Sequence, residues 1–466
     1  SCTPAVVRAA AAAEKAGVRS VCIATSGFAQ QAHAIAEALG IANLAVTEYP
    51  GVIMMDGKEE LRRKVEEVLV NNVISGLTAP RGESRKPVEP EARDIVFKGS
   101  LMEVQEFFYR NLWSDGLPIL PPALAEVERF LMFTDHSPDD VLGVLLPENR
   151  QATVWNTAVN GVMAGCRPEY MPVLIAVVEA IADPEFRIED AGSTPGWEPL
   201  IILNGPIIKE LDFNCGSGVL RVGRQANTSV GRFLRLYMRN VAGLRIPPGA
   251  TDKGTFGYTF NVVLAENEDA VAEIGWQPFS VDRGFRAGEN LVTVQSVASM
   301  SGACNSGGDT PESHMEAIGE IIGRGTIAYR MPSAAKEGVF HPLIAMSPSV
   351  AGVIARGGWT KDDVRQWLYK NVRVPAGLFE KLARHTGKTV FSFRRYVEEG
   401  LISRDFWQSD DTDRLIPAFL KPEWTGIVVS GDPGRNQSKG YAQNQKQGPP
   451  VSKKIELPAK WKQMLR

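Results

Sequence analysis

From residue 3 to residue 77 the apolar positions switch between two spacings: the 3.6-residue period of a helix and the short continuous run of a buried strand. Thr3-Pro4 sets an N-cap and a first-turn proline ahead of an alanine-rich helix that runs to Ala16 and closes at Gly17. Ser20 to Thr25 reads as a strand, Phe28 to Leu39 as a helix capped by Gly40, Leu44 to Tyr49 as a second strand, and Lys58 to Asn71 as an amphipathic helix. This alternation predicts a parallel sheet flanked by helices, and a βαβ unit calls for one more strand ahead of Ser1.

Pro80, Gly82, Pro87 and Pro90 stand among charges, so residues 78–93 read as a linker between this domain (1–77) and a larger α/β domain (94–430). In the larger domain Ser137-Pro138-Asp139-Asp140 carries a helix-start signal. Helices are expected from Pro168 to Ala182, from Asn227 to Val241 before Gly243, and from Thr360 to Tyr369. Strands are expected at Leu200–Leu203, Tyr258–Leu264, Leu291–Val297, Val339–Ala345 and Ile427–Ser430. Residues 431–466, rich in Gln, Gly and Lys, read as a polar tail, and no internal repeat stands out. The fold class is therefore α/β: a small parallel-sheet N-terminal domain with flanking helices plus a larger α/β domain.

Composition narrows the partners. Lys and Arg number 51 against 54 Asp and Glu, a balance that lacks the basic face nucleic acid or an anionic membrane requires. The five cysteines are scattered and form no CxxC pair, so a reducing, cytoplasmic setting is expected. The longest apolar run, Met171 to Ala182, is too short for a membrane span and carries Glu179.

Candidate chemistry falls on glycine-rich loops. Cys2, just before a helix start, would have its thiolate stabilised by free amides. Asn214-Cys215-Gly216-Ser217-Gly218 leaves its backbone open for a nucleophile or an anion, with Arg224 and Asn227 following at a helix start as anion-holding groups. Ser301 to Asp309 follows a strand, and its Cys304 pairs on paper with His314 as nucleophile and base, with Asn305 beside them. Ser430 to Gly440 resembles an anion cradle without the Walker A spacing. The competing readings are a tight strand-to-helix turn at Cys2, a glycine-rich turn with a buried cysteine at Cys215, a long surface loop at Ser301–Asp309 and a solvated loop at Ser430–Gly440. Glu266-Asn267-Glu268-Asp269 reads as a solvated helix start. The five histidines are dispersed and no metal spacing occurs in sequence, though the fold could still assemble a site from Cys304, His314 and His341; Gly-x-Gly-x-x-Gly is absent, and the cofactor is left open.

Ser1-Cys2-Thr3-Pro4, the strand Val21-Cys22-Ile23-Ala24-Thr25, the helix from Ala29 to Leu39, and Leu44 to Tyr49 before Pro50-Gly51 resemble the N-terminal module of the UGSC-motif (seleno)protein family. In that family selenocysteine or cysteine, then Gly, Ser and Cys, forms a redox-type motif between the first strand and first helix; Ser1-Cys2 matches its last two positions. Trp113 to Pro118, Ala158 to Tyr170 and Leu203 to Pro206 resemble the long domain that accompanies the module. The resemblance implies the fold and a redox-active site, not a reaction or a substrate. With the candidate loops, the leading expectation is a thiol-dependent enzyme that attacks or reductively cleaves a carbon–heteroatom bond of a small molecule. Cys2 would attack or resolve, and Ser1, Asn214, Gly216, Ser217, Arg224, Asn227 and Asn305 would bind substrate. The alternatives are a metal-assisted or acid–base lyase or hydratase centred on His314, Cys304 and Glu316, and a non-catalytic assembly protein. Trp407 and Trp424 are candidate anchors of a homo-oligomer.

Overall fold

Side chains of the strand Val21–Thr25 leave it on opposite faces, and the N-terminal module is built on that alternation. Cys22 and Ala24 enter a small core with Val7, Ala32, Ile35 and Ala36 from the helices Cys2–Lys15 and Ala29–Ala38. On the other face Val21 lies against Gly76 of the helix Val70–Thr78, where an added Cβ would come within 2.8 Å of Val21 Cγ2. The strand pairs in parallel with Ala45–Tyr49, Val21 opposite Ala45 and Thr25 opposite Tyr49. The result is a small parallel sheet with helices on both faces, as the β-α alternation predicts.

The structure, a computed structural model, describes residues 2–80, 91–191, 196–246, 257, 262–385, 391–444 and 447–465, without the side chains of residues 2, 54 and 383–385. Residues 81–90, most of the expected linker, and residues 258–261 of the expected strand Tyr258–Leu264 lie outside the described residues, as does Ser1.

Beyond the linker, two mixed sheets pack face to face. The first runs Val451–Lys454, Leu291–Val297, Glu198–Asn204, Leu264–Ala265. The second runs Gly426–Val429, Leu343–Met346, Gln437–Ala442, Ser299–Met300, with Cys304–Asn305 also paired to Gln437–Ala442. Leu200, Ile202, Leu264 and Val297 of the first sheet meet Leu343, Val428 and Tyr441 of the second in a core between them. Ile201, Leu203, Val292 and Val294 face outward, onto the helices Val154–Ala164, Met171–Ala182 and Gln225–Tyr237. Ile344, Met346, Ile427 and Val429 face the opposite helical layer, which includes Pro311–Ile318, Pro348–Arg356 and Lys361–Asn371. The four layers are helices, sheet, sheet, helices. A strand between two such layers is buried on both sides, and every residue of Glu198–Asn204 and Leu291–Val297 is buried, the polar Thr293, Gln295 and Ser296 included.

The two halves repeat one another. In each, a central strand has a parallel neighbour and an antiparallel one, in the same register. Leu203 pairs with Ala265 and Val292, and Met346 pairs with Val429 and Ser438. The Glu266 amide donates to Leu203 O at 3.0 Å, and the Ser430 amide donates to Met346 O at 2.9 Å. Each half also lends a strand to the other. Ser299–Met300 follows Leu291–Val297 in the chain yet joins the second sheet, while Val451–Lys454 follows Gln437–Ala442 yet joins the first. The matched text is short, Pro199-Leu200-Ile201 against Pro342-Leu343-Ile344, and the intervening helices differ, so the repeat is invisible as a period.

Three sequence expectations change. Residues 431–466, expected as a polar tail that is extended and wraps the domain or is partly ordered, supply an interior strand of one sheet, Gln437–Ala442, and an edge strand of the other, Val451–Lys454. Ser137–Asp140 is a turn, in which the Ser137 amide donates to Asp140 Oδ2 at 2.9 Å, and it leads into the strand Val141–Leu145. A carboxylate reaching back to the amide three residues before it serves a turn as well as a helix start, and the β-branched residues beyond it favour a strand. The helix expected from Lys58 to Asn71 divides at a π turn, Val65–Leu69, and continues to Thr78.

Leu200→Ala and Leu343→Ala are each expected to cost about 2–5 kcal/mol, because both side chains are fully buried between the sheets. Ile321→Ala, on a side chain 40% exposed, should stay within about 0.5 kcal/mol. Urea unfolding of the three variants checks the assignment.

Candidate functional site

The carboxyl ends of Leu264–Ala265, Leu343–Met346 and Gly426–Val429 meet at one rim, and the segment 430–437 runs along it. Ser430 Oγ donates to Ala265 O at 2.7 Å and lies 3.2 Å from Cys215 O, while the Gly431 amide donates to Cys215 O at 3.0 Å. Asp432 accepts from the Gly434 amide at 2.8 Å and from the Ser217 side chain, and those bonds hold its carboxyl below the usual range. Farther along, Ser349 Oγ donates to Arg435 O at 2.8 Å, the Ser306 amide donates to Asn436 O at 3.2 Å, and Gln437 Nε2 donates to Asn305 Oδ1 at 3.0 Å. The three glycine-rich loops of the large part, separate in sequence, are therefore neighbours.

The structure gives their residues uneven roles. Asn227 is buried and fully used: Oδ1 accepts from the Asn214 amide at 2.7 Å, and Nδ2 donates to Asn214 O and Val263 O, both at 2.9 Å. It is a clamp on the Cys215 loop, with no donor left for a substrate. Asn214 turns its amide inward, accepting from Gly216 N at 2.9 Å and donating to Ser217 O at 3.0 Å. Arg224 already holds a carboxylate, Asp212, at 2.8 Å on the surface. Cys215 is half-buried; burial first, then nearby Asp269, pushes its thiol up.

Cys304 does not meet the requirement of a nucleophile. It is fully buried in the outer core of the second sheet, opposite Ser438 in the ladder, and burial pushes its thiol to about 11. His314 pairs instead with Ser306: Oγ and Nδ1 are 2.7 Å apart, and Nε2 lies 3.1 Å from Gly308 O. A carbonyl only accepts, so Nε2 carries the proton and Nδ1 accepts from the Ser306 hydroxyl. The imidazole is buried and the hydroxyl half-buried on the rim. Nothing in the spacing selects Ser306 over the other hydroxyls of its loop; the turn through Gly307-Gly308 brings it back to the helix Pro311–Ile318.

Glu266, expected on a solvated helix start, is buried where the halves join. Its carboxylate accepts from Asn204 Nδ2 at 2.7 Å, the Phe279 amide at 2.6 Å and the Val429 amide at 3.2 Å, with Lys361 Nζ 3.8 Å away. Burial pushes its pKa up despite these partners. Among the described residues no group of three or more His, Cys, Asp or Glu is arranged to hold a metal ion, and no helix is long and apolar enough to cross a membrane.

At the amino end, the helix Cys2–Lys15 begins at Cys2, and Cys22 is buried in the module's core with its thiol raised by burial. This β-α module has a counterpart among known proteins. Residues 1–79 match the UGSC family. No curated protein and no solved structure matches the chain. The matched module touches the large part through Arg8, whose Nη2 lies 3.3 Å from Asp190 Oδ1.

Among Cys22, Cys166, Cys215 and Cys304, Cys215 should be alkylated first in the native protein, since only it is not buried. Asn227→Ala would strand two buried carbonyls and an amide. It should cost about 1–3 kcal/mol and speed the labelling of Cys215 specifically. Time-resolved mass spectrometry reads both.

Proposed function

We propose that the large part is an enzyme acting on a small molecule by acid–base chemistry through Ser306 and His314. The hydrogen bond from Ser306 Oγ to His314 Nδ1, with Nε2 anchored on Gly308 O, carries this reading. A hydroxyl so held can give its proton to the imidazole as its oxygen attacks an electrophilic carbon, and the imidazolium then returns that proton to the leaving group. The anchored Nε2 fixes the tautomer that makes Nδ1 the base. The raised thiols of Cys166, pushed to about 12, and Cys304, pushed to about 11, favour this pair over a thiolate in the same domain.

The test is covalent labelling with a fluorophosphonate. The adduct is expected on Ser306 and should vanish in Ser306→Ala. In His314→Gln its rate should fall roughly 10²–10⁴-fold, the usual worth of a positioned base. Labelling elsewhere, or an unchanged rate in His314→Gln, would overturn the proposal.

The UGSC match and the helix start favour a second reading, thiol-dependent attack on or reductive cleavage of a carbon–heteroatom bond. With the other four thiols raised, it rests on Cys2. A helix N-terminus is worth about 0.3–1 kcal/mol to a thiolate, somewhat under one pKa unit. Cys2 is therefore expected to react faster with iodoacetamide than buried Cys22, and equal rates would remove this reading. A homo-oligomer in the cytoplasm completes the proposal; a light-scattering mass near 50.8 kDa would contradict the oligomer.

A further inference from the structure

A cavity of about 480 Å³ opens at the amino ends of Leu343–Met346 and Gly426–Val429, bordered by Pro342 and Gly426. It lies at the opposite end of these strands from the Ser306–His314 rim. Four strand residues at roughly 3.3 Å each put about 13 Å between the two. The volume suits a small organic molecule.

The walls are of two kinds. Pro342, Pro449 and Pro450 are apolar, and Trp424 lies on His341 with ring centroids 4.9 Å apart and planes 30° from parallel. The polar wall is Arg283, Arg365, Asp282 and Gln295. Gln295 is spent in part on His341 O, to which its Nε2 donates at 2.7 Å. Arg365 is committed to Asp282 at 2.8 Å and Asp362 at 2.6 Å, and its Nε donates to Thr425 O. Asp282 also meets Lys361 at 3.3 Å. Arg283 differs. It is anchored by donating to Pro450 O at 2.7 Å and Ser452 Oγ at 3.3 Å, and among the described residues it forms no ion pair. A partly buried guanidinium held by neutral acceptors keeps its charge available for an oxyanion.

We propose that this cavity binds a small organic oxyanion, its carboxylate or phosphate on Arg283 and its flat body along the Trp424–His341 face. This site is independent of the Ser306–His314 pair. The charges around His341 are Arg283, Arg365 and Asp282 on the lining and Lys421 and Glu423 on the segment that carries Trp424; Lys421 Nζ sits 4.3 Å from the Trp424 ring centroid. Burial, then Arg283 and Lys421, hold the imidazole down at about 4, so it is neutral near pH 7.

Calorimetry on the full chain with benzoate, phenyl phosphate and neutral benzamide tests the site. Benzoate or phenyl phosphate should bind at least tenfold tighter than benzamide, and the tighter of the two says which oxyanion the cavity prefers. Arg283→Gln should lose at least tenfold for that probe, and Trp424→Leu should weaken all three. Binding of neither oxyanion, equal binding of benzamide, or full affinity in Arg283→Gln would overturn the proposal. If Arg283→Gln does not fold, the wild-type salt profile decides: binding of the preferred probe that weakens as salt rises while benzamide binding does not supports the site, and an affinity that salt leaves unchanged overturns it.

Discussion

The carboxylate of Glu266 is the point on which the large part turns. Taking an ionised carboxylate out of water costs several kcal/mol, and the cost is tolerable only where donors converge on it. Asn204 and the Phe279 amide come from the first half of the fold, the Val429 amide and Lys361 from the second. Satisfying this one group therefore sets how the halves sit against each other. Removing Lys361 or Asn204 would leave the buried carboxyl short of a partner and push its pKa up further, whereas the apolar core between the sheets is non-directional and would tolerate small slips.

Both candidate sites inherit their geometry from that junction. Ser430 follows Val429 directly and ties Ala265 to the Cys215 loop, so the rim is aligned by the same strand end that donates to Glu266. In the other direction Lys361 passes from Glu266 to Asp282, and Asp282 passes to Arg365 on the cavity wall. A continuous ionic chain thus links the rim end of the molecule to the cavity end. The rim offers a polarised hydroxyl, and the cavity a guanidinium that forms no ion pair among the described residues; the buried thiols of Cys166 and Cys304 sit in a low-dielectric setting, where ionisation is disfavoured.

Much of the architecture can be read from apolar runs. Leu291–Val297 is bounded as its pattern predicts, and the capping box at Thr360 starts a helix as expected. Periodicity reports which faces are buried, and in a layered fold that fixes strands and helices well. It does not report which loop lies beside which, and so the shared rim of the Cys215, Ser306 and Ser430 loops was legible only as three separate glycine-rich stretches. Individual side chains were harder still. Asn227 has the composition of an anion-binding residue at a helix start, yet its amide is consumed by the backbone of Asn214 and Val263. Cys304 and Ser306 differ by two positions, a spacing that would put both on one face of a continuous strand; the ladder at Ser438 turns the cysteine inward, but the strand ends at Asn305 and the serine lies past it on the rim. Glu266 looked solvated because a carboxylate usually is; only the fold shows three donors waiting for it.

The exchanged strands set an order on the molecule's making. The strand Leu291–Val297 has an open edge until Val451–Lys454 arrives to cover it. On a ribosome the first half emerges long before that partner is synthesised, and its sheet must wait with unpaired amides exposed while some 150 further residues are added. Neither half can close alone, so the native state is reached late and all together, and the nascent chain is most vulnerable to pairing with a neighbour during that interval.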